Sequence, residues 1–257
     1  MKLIKRKKYL EELESVRGTP DIKVITGIRR AGKSKLMESF IEEILQKNDS
    51  ANVIHINYNL NEYSAIKKKN ALINYVEEKY MSDRVNYLFI DEVQMCKGFE
   101  EAVNGFHAEE KYDIYITGSN AFLMSNDLAT LFTGRTYEIE VFPFSLTEYM
   151  AYFGYTDRNA ALNRYLFEGG MAGSYVYANE EQKYKYLRDV YDTMILRDVI
   201  QKHRVKDPQR LENVSDYLMD NISNQISARN IADELSMKSD PATHRTISKH
   251  LSYLCDS

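Results

Sequence analysis

The chain has 257 residues, of which 44% are hydrophobic and 28% charged, and these proportions are ordinary for a folded globular protein. This length suits one large domain, or one domain with a smaller appendage. The net charge of −4 provides no overall basic field, so any nucleic-acid contact requires a local basic patch.

The sequence shows no pattern typical of a targeting signal or of a membrane-spanning helix. The N-terminal stretch is charged but has no apolar core after it, unlike a secretory signal. No run of about 18 apolar residues is present to span a membrane, so we expect no membrane contact. Cys96 and Cys255 lack metal-type spacing and are interpreted as reduced thiols, which favours a cytoplasmic location.

Short apolar runs alternate with helical patterns through the first 144 residues. Before them, the basic cluster of residues 5–8 is interpreted as the solvated start of a helix rather than as a phosphate contact. We predict strands at 22–26, 53–58, 87–90, 114–116 and 137–141, and helices at 33–47, 64–80, 98–110 and about 121–131. This alternation predicts an α/β fold, in which helices cover both faces of a parallel sheet.

The character of the sequence changes after Pro143. Helical patterns dominate residues 145–205, and three further helices are predicted at about 208–221, 228–236 and 241–254. We therefore expect three parts: a sheet domain at 1–144, a helical segment at 145–205 and a terminal module at 206–257.

The loop after the first predicted strand reads Gly, four residues, Gly-Lys-Ser. Its glycines permit tight turns, and its backbone N–H groups can surround a phosphate at the start of a helix. In this spacing Lys33 reaches the β- and γ-phosphates and Ser34 offers its hydroxyl to Mg²⁺. The simpler alternative is a glycine turn that caps a helix. We expect nucleotide contacts from Gly27, Ile28, Arg29, Arg30, Ala31, Gly32, Lys33, Ser34 and Lys35.

Two carboxylates, Asp91 and Glu92, follow the third predicted strand. A buried strand delivers Asp91 to the carboxyl edge of the sheet, where ligands bind in open α/β folds. We expect Asp91 to hold Mg²⁺ and Glu92 to polarise a water for attack on the γ-phosphate. A kinase does not need the second carboxylate, so the pair favours hydrolysis. The alternative is two solvated acids at a strand end.

Further polar residues complete the predicted site. Ser119 and Asn120 follow the fourth strand, and either can orient the attacking water or cap the next helix. Arg135 precedes the fifth strand and is predicted to enter the site of a neighbouring subunit, where it stabilises the transferring phosphoryl group. We therefore expect self-association through Arg135. The alternative is a surface ion pair with Glu138 or Glu140.

Taken in order, these motifs resemble those of AAA-type ATPases. The segments are GIRRAGKS, LFIDEVQ, ITGSN and LFTGR, followed by EIEVFPFSLTEY. The likeness is greatest to a group of bacterial and archaeal ATPases, similar to the origin-recognition branch, whose chains end in a winged helix and a further domain of unknown function. The resemblance covers nearly the whole chain. It implies ATP hydrolysis with Mg²⁺ by a P-loop NTPase sheet domain that is followed by an all-helical lid.

The resemblance also implies residue roles. The phosphate loop of the family is matched by Gly27, Gly32, Lys33 and Ser34. Asp91 matches the metal ligand, and Glu92 matches the general base. The first sensor is matched by Ser119 or Asn120, and the arginine finger by Arg135. The second sensor of the lid has no clear match, with Arg188 and Arg197 as alternatives. Chains of this group usually continue beyond the third helix of the terminal module, whereas this one stops at SYLCDS. We therefore expect a fragment or a shortened member with a partial winged helix.

The last two predicted helices suggest a helix-turn-helix. Its exposed face, which would enter a DNA major groove within residues 241–254, comprises His244, Arg245, Ser248, Lys249 and Ser252. Residues 208–257 carry five basic and seven acidic side chains, a net charge of −2. Because phosphate neutralisation supplies much of the affinity for DNA, this balance favours a structural or protein-contact role.

The function that these features favour is an ATP-driven switch or remodeller. The alternative is a nucleotide-dependent DNA-binding module with little hydrolysis. A P-loop GTPase or a small-molecule kinase is a weaker alternative. A GTPase needs an Asn-Lys-x-Asp stretch to read the base, and the nearest match, residues 46–49, follows the first helix and lacks the first asparagine.

Overall fold

The chain divides into two units, Met1–Lys183 and Tyr184–Ser257. The structure, a computed structural model, describes residues 4–47, 50–118, 132, 134–193, 198–237 and 242–255. The first unit contains a β-sheet with helices around it, and the described part of the second unit is helical. None of the helices in these ranges has the length and hydropathy that crossing a bilayer requires.

A five-stranded parallel sheet forms the centre of the first unit. Its strands are β1 (Ile22–Thr26), β2 (Ala51–Asn57), β3 (Val85–Asp91), β4 (Tyr112–Thr117) and β5 (Thr136–Glu140). Their order across the sheet is β2-β3-β4-β1-β5, and every neighbouring pair is parallel. All five predicted strands are confirmed. Strand β1 is buried at every position, as expected for an inner strand of a parallel sheet that is covered on both faces.

Both units contain helices. They are α1 (Lys7–Ser15), α2 (Lys33–Lys47), α3 (Lys69–Glu78), α4 (Phe99–Ala108), α5 (Leu146–Phe153), α6 (Arg158–Glu168), α7 (Glu180–Asp192), α8 (Ile200–His203), α9 (Pro208–Asp220), α10 (Ala228–Met237) and α11 (His244–Cys255). Short 3-10 helices span Asn61–Ile66, Val93–Met95 and Ala172–Val176. The predicted helix at about 121–131 lies outside the described residues.

Two hydrophobic cores lie on opposite faces of the sheet, and β3 contributes to both. Leu88 and Ile90 pack in the core that contains the buried residues of α3 and α4. The intervening Phe89 packs in the core of α1 and α2, where its ring stacks on Tyr115 with centroids 4.6 Å apart. Side chains of a strand point alternately to its two faces, so this division confirms the predicted α/β sandwich.

A buried ion pair stabilises the amino-terminal edge of the sheet. Lys23 of β1 is fully buried, and its Nζ lies 2.6 Å from Oδ1 of Asp113 and 2.6 Å from the carbonyl oxygen of Thr19. The other carboxylate oxygen of Asp113 accepts hydrogen bonds from the Gly18 N–H and the Tyr115 hydroxyl. Each charge is therefore paired and hydrogen-bonded, which offsets the cost of removing it from water.

An aromatic cluster organises the helices that follow β5 in the first unit, here called the lid segment (residues 145–183). Ser145 and Glu148 form a reciprocal capping box at the start of α5, which fixes where this helix begins. The buried ring of Tyr149 contacts surrounding rings at centroid distances of 4.7 to 5.9 Å. Its hydroxyl donates to Glu168, so the cluster also has a satisfied polar contact.

The second unit contains the three helices that the sequence predicts near its end, α9, α10 and α11. Their apolar faces meet around five buried residues: Val214, Ile231, Ala232, Leu235 and Ile247. Asp207 caps α9 by accepting a hydrogen bond from the Arg210 N–H, and Pro208 occupies the first turn, where its missing N–H costs nothing.

Candidate nucleotide site

The predicted phosphate loop and the predicted carboxylates lie at the same edge of the sheet. Strand β4 pairs with β1 on one side and with β3 on the other, and all three are parallel. Their carboxyl ends therefore meet at one edge, where β1 runs into the loop at Gly27, β3 ends at Asp91 and β4 ends at Thr117.

The start of the loop passes very close to the end of β5. Gly27 has φ +132°, and a Cβ atom built there would lie 2.1 Å from the carbonyl oxygen of Val141. The approach is fixed by a backbone hydrogen bond of 2.9 Å from the Val141 N–H to the Thr26 carbonyl. This position therefore requires glycine for space as well as for its backbone conformation.

The ammonium group of Lys33 is held inside the loop. Lys33 is the first residue of α2 and is 5% exposed. Its Nζ donates to the carbonyl oxygen of Gly27 at 2.7 Å and to that of Ile28 at 3.0 Å. A positive charge thus lies at the start of a helix, where backbone N–H groups and the helix dipole also favour an anion.

A threonine that we did not predict as a site residue joins the two carboxylate positions. The Thr117 hydroxyl donates to Oδ1 of Asp91, and its oxygen accepts the backbone N–H of Glu92 at 3.1 Å. Thr117 is fully buried, so its hydroxyl has a fixed role in orienting both residues. The available signal was a polar residue at the end of a buried strand directly before Gly118.

The second carboxylate oxygen of Asp91 is suited to a cation. Asp91 is 1% exposed, and within the described part of the chain no group hydrogen-bonds to its Oδ2. A buried carboxylate oxygen without a partner is costly, and a bound Mg²⁺ would remove that cost. The described residues contain no cluster of three or more His, Cys, Asp or Glu side chains that could hold a metal.

The Glu92 carboxylate has a neighbouring hydrogen-bond donor. The backbone of Glu92 is left-handed, with φ 57°, and turns the chain from β3 into the 3-10 helix Val93–Met95. The amide nitrogen of Gln94 donates to Oε2 of Glu92 at 2.5 Å. Left-handed backbone at a non-glycine residue is uncommon and occurs often at functional positions.

Arg135 lies far from this edge. It immediately precedes β5, and its carbonyl oxygen accepts the backbone N–H of Ile22 at the amino end of β1. The length of β1 therefore separates Arg135 from the loop of its own chain. The exposed position of this side chain is compatible with the predicted role in a neighbouring subunit and not with a role in its own site.

Five other residues that were predicted for the site or for the second sensor lie outside the described residues or pair with a neighbour on their own helix. Ser119, Asn120 and Arg197 lie outside the described residues, so their predicted roles stay predictions. Lys35 is exposed, and its ammonium pairs with Glu38 one turn along α2. Arg188, in the second unit, pairs with Asp192 at 3.1 Å.

The interpretation of the N-terminal basic cluster as solvated is wrong for one residue. Lys7 and Lys8 are exposed, but Arg6 is only 5% exposed. Its Nη1 donates to the carbonyl oxygen of Ala31 in the phosphate loop at 3.0 Å. Neighbouring lysines masked this role in the sequence, because a run of basic residues is usually a solvated face.

The fold is that of a P-loop NTPase: a parallel α/β sheet, a glycine-containing loop after an inner strand and an acidic strand end at the same edge. A family model described as an AAA domain matches residues 19–150, and the chain belongs to this family. A second model, described as a domain of unknown function, matches residues 159–257.

Two relatives match nearly all of the chain. An uncharacterized protein of Haemophilus influenzae is 32% identical over 257 residues, covering 98% of this chain and 64% of the relative. One of Methanocaldococcus jannaschii is 25% identical over 271 residues, covering 100% of this chain and 60% of the relative. The chain thus spans less than two thirds of either relative.

A solved structure shows the same fold at low sequence identity. The S. cerevisiae Hsp104–ADP complex is similar with a TM-score of 0.51 and 14% identity, covering 98% of this chain and 38% of that one. At this identity the likeness concerns the fold alone.

The close approach at Gly27 predicts that Gly27→Ala weakens both stability and nucleotide binding. The matched control is Gly18→Ala, because Gly18 also has positive φ but has no atom within 4 Å of a built Cβ. The control should cost only the backbone strain of about 1–2 kcal/mol, and Gly27→Ala should cost more. Equilibrium urea unfolding and titration with a fluorescent ATP analogue measure the two effects. Equal losses in both variants would contradict the assignment.

Proposed function

We propose that this protein binds ATP with Mg²⁺, hydrolyses it and uses the cycle as a molecular switch or remodeller. The observation that carries the proposal is the pair of carboxylates beside the phosphate loop. The Thr117 hydroxyl links Asp91 to the backbone of Glu92, and Oδ2 of Asp91 is buried with no partner among the described residues. Membership of the AAA domain family supports the same chemistry at a general level.

The residues of the loop would bind the triphosphate. Phosphate oxygens would replace the Gly27 and Ile28 carbonyls as partners of the Lys33 ammonium, because a charge-assisted hydrogen bond to phosphate is stronger than one to a neutral carbonyl. Ser34 and Asp91 would hold Mg²⁺, which neutralises charge on the phosphates when bound. Burial of Lys33 and Asp91 strengthens these electrostatic interactions relative to water.

Glu92 would act as the general base. Its carboxylate accepts a proton from a water molecule, whose oxygen forms a bond to the γ-phosphorus. The bond from that phosphorus to the bridging oxygen breaks, and ADP leaves with the electron pair. Thr117 fixes the backbone of Glu92 and Gln94 holds one carboxylate oxygen, so both residues contribute to the orientation of the base.

Substitutions at Lys33 and Glu92 should separate binding from hydrolysis. Lys33→Ala should abolish tight ATP binding, because it removes the buried ammonium. Glu92→Gln should keep ATP binding and lower the hydrolysis rate by about 100-fold or more, the usual contribution of a general base. Lys47→Ala, at the exposed end of the same helix, is the control for Lys33→Ala. Binding titrations and phosphate release are the measurements, and unchanged turnover in both site variants would overturn the proposal.

A second subunit would complete the site through Arg135. The arginine is exposed at the edge of the sheet opposite to its own phosphate loop, so it can reach phosphates only in a neighbouring copy. A guanidinium group suits this task, because it stays charged and can bind two phosphate oxygens at once.

ATPase activity should therefore depend on protein concentration, and Arg135→Ala should remove that dependence. A trans arginine contributes about 10³-fold or more to the rate in related phosphoryl transfer. The matched control is Arg84→Ala, since Arg84 is also an exposed arginine, directly before β3 at the same edge of the sheet. Phosphate release over a concentration series is measured together with sedimentation in ADP and in a non-hydrolysable ATP analogue. If Arg135→Ala behaved like Arg84→Ala, the trans role would be excluded.

DNA binding by the terminal module is the second candidate function. The residues predicted to form the outer face of α11 are all exposed in the structure: His244, Arg245, Ser248, Lys249 and Ser252. The apolar residues between them, including Ile247, pack inward on α9 and α10. This exposure favours a contact surface, whereas the net charge of −2 over residues 208–257 makes a strong phosphate attraction unfavourable.

If α11 contacts DNA, the double variant Arg245→Ala and Lys249→Ala should weaken binding and reduce its salt dependence. Arg229→Ala, an exposed arginine on α10, is the control. Mobility shifts at several salt concentrations, with and without ATP, measure the effect. Absent binding, or binding that salt leaves unchanged, would exclude this candidate, because phosphate contacts must weaken with salt.

A further inference from the structure

A buried arginine connects the phosphate loop to the lid segment. Arg6 lies directly before α1, and this helix packs Leu10 and Leu13 into the core shared with α2. The backbone of Arg6 is therefore anchored at the hydrophobic core of the first unit. Its guanidinium group is one of the few buried charges of the described chain, and the proposed hydrolysis does not use it directly.

One side of the guanidinium group holds the loop. Nη1 donates to the carbonyl oxygen of Ala31 at 3.0 Å. The next residue is Gly32, where a built Cβ atom would lie 3.9 Å from Nη1, and Lys33 follows. Arg6 thus contacts the loop immediately before the residues that would bind the β- and γ-phosphates.

The other side holds the first helix of the lid segment. Nε lies 2.7 Å from Oε1 of Glu148 and Nη2 lies 3.1 Å from its Oε2, in a bidentate pair. Glu148 also accepts the N–H of Ser145, so the same carboxylate caps α5. Burial raises the pKa of Glu148, but the hydrogen bonds from Arg6 and Ser145 outweigh it and hold the pKa below its usual value. The carboxylate is therefore ionised at neutral pH.

The segment between β5 and the lid segment is attached both to Arg6 and to residues of the lid segment. Nη2 of Arg6 donates to the Phe142 carbonyl at 2.8 Å, and its guanidinium carbon lies 5.3 Å from the centroid of the Phe144 ring. The Phe144 N–H donates to the Gly170 carbonyl at 2.8 Å, and the Tyr165 hydroxyl donates to the Phe144 carbonyl. A Cβ at Gly170 would lie 2.3 Å from the Phe144 carbonyl oxygen, so this contact requires glycine. A displacement of the segment therefore also displaces the lid segment.

We propose that Arg6 is a positioning residue that couples the state of the phosphate loop to helix α5 of the lid segment. This coupling rests on the proposed nucleotide binding. Phosphate would take the Lys33 ammonium away from the carbonyls of Gly27 and Ile28, and the loss of these two hydrogen bonds would let the loop rearrange. Because the Ala31 carbonyl and the Glu148 carboxylate share one guanidinium group, the rearrangement reaches α5 through Arg6.

Hydrogen exchange of the full chain tests the coupling. The probe is a non-hydrolysable ATP analogue with Mg²⁺ at saturating concentration, and the readout is amide protection at residues 27–34 and 146–153. In the unmodified chain both segments should change on adding nucleotide. In Arg6→Met the loop should still become protected and the change at 146–153 should be lost. Nucleotide affinity should fall by about tenfold, which corresponds to ~1.4 kcal/mol.

Two further variants separate coupling from folding. Glu148→Gln keeps Arg6 but removes the charge of its partner, and it should also lose the response at 146–153. Arg6→Lys keeps the charge without the planar fork and should restore the response only in part. The matched control is Lys23→Met, which removes a buried cation from the other edge of the sheet. It should lower Tm, as Arg6→Met does, and yet leave both nucleotide responses intact.

The outcomes distinguish this proposal from the proposed function. Protection at 27–34 with no change at 146–153 in the unmodified chain would overturn the coupling alone. A full response at 146–153 in Arg6→Met or in Glu148→Gln would do the same. If Lys23→Met also lost the response at 146–153, the effect of Arg6→Met would reflect a general loss of stability, and the coupling role of Arg6 would be excluded. No protection at 27–34 in the unmodified chain would overturn nucleotide binding, and the coupling with it.

Discussion

The candidate site depends on the parallel pairing of β4 between β1 and β3. In a parallel sheet all carboxyl ends lie at one edge, and this strand order places the end of β4 between the phosphate loop and the acidic residues. Thr117 can therefore donate to Asp91 and accept from the backbone of Glu92. A different strand order would separate Thr117 from Asp91 and Glu92, although β3 and β4 would still end at Asp91 and Thr117. The chemistry proposed here thus follows from topology as much as from the identity of the side chains.

Buried charges are fully paired at one edge of the sheet and only partly paired at the other. At the amino-terminal edge, Lys23 and Asp113 are paired with each other, and backbone and hydroxyl groups satisfy their remaining hydrogen bonds. At the carboxyl edge, Asp91 is equally buried, but one of its oxygens has no partner within the described residues. A satisfied ion pair adds specificity to a fold, whereas an unsatisfied carboxylate costs stability that a ligand can restore. This contrast supports the proposed position of the site at the carboxyl edge, independently of any motif.

Much of the fold follows from the sequence, because apolar runs and glycine spacing report local constraints. The five strands, the loop from Gly27 to Ser34 and the outer face of α11 were all predictable in this way. Strand order was not, since it depends on contacts between distant segments. Thr117 fits a strand by β-propensity alone, and Arg6 stands among solvated lysines, so neither showed its buried partners. The partners of both residues lie in segments that are distant in the sequence, which a local pattern does not report.

The two buried cations at the phosphate loop differ in how firmly they are held. Lys33 binds two neutral carbonyl oxygens of its own loop, which are weak partners that a phosphate can replace. Arg6 binds a carboxylate through two parallel hydrogen bonds and contacts the loop with its remaining side. A charge-assisted hydrogen bond to phosphate is stronger than either of these carbonyl contacts, whereas exchange at the second cation would leave a buried carboxylate unpaired at a cost of several kcal/mol. A ligand that enters the loop should move the lysine and leave the arginine attached to α5. That asymmetry would let one phosphate contact act on a helix that does not itself bind the phosphate.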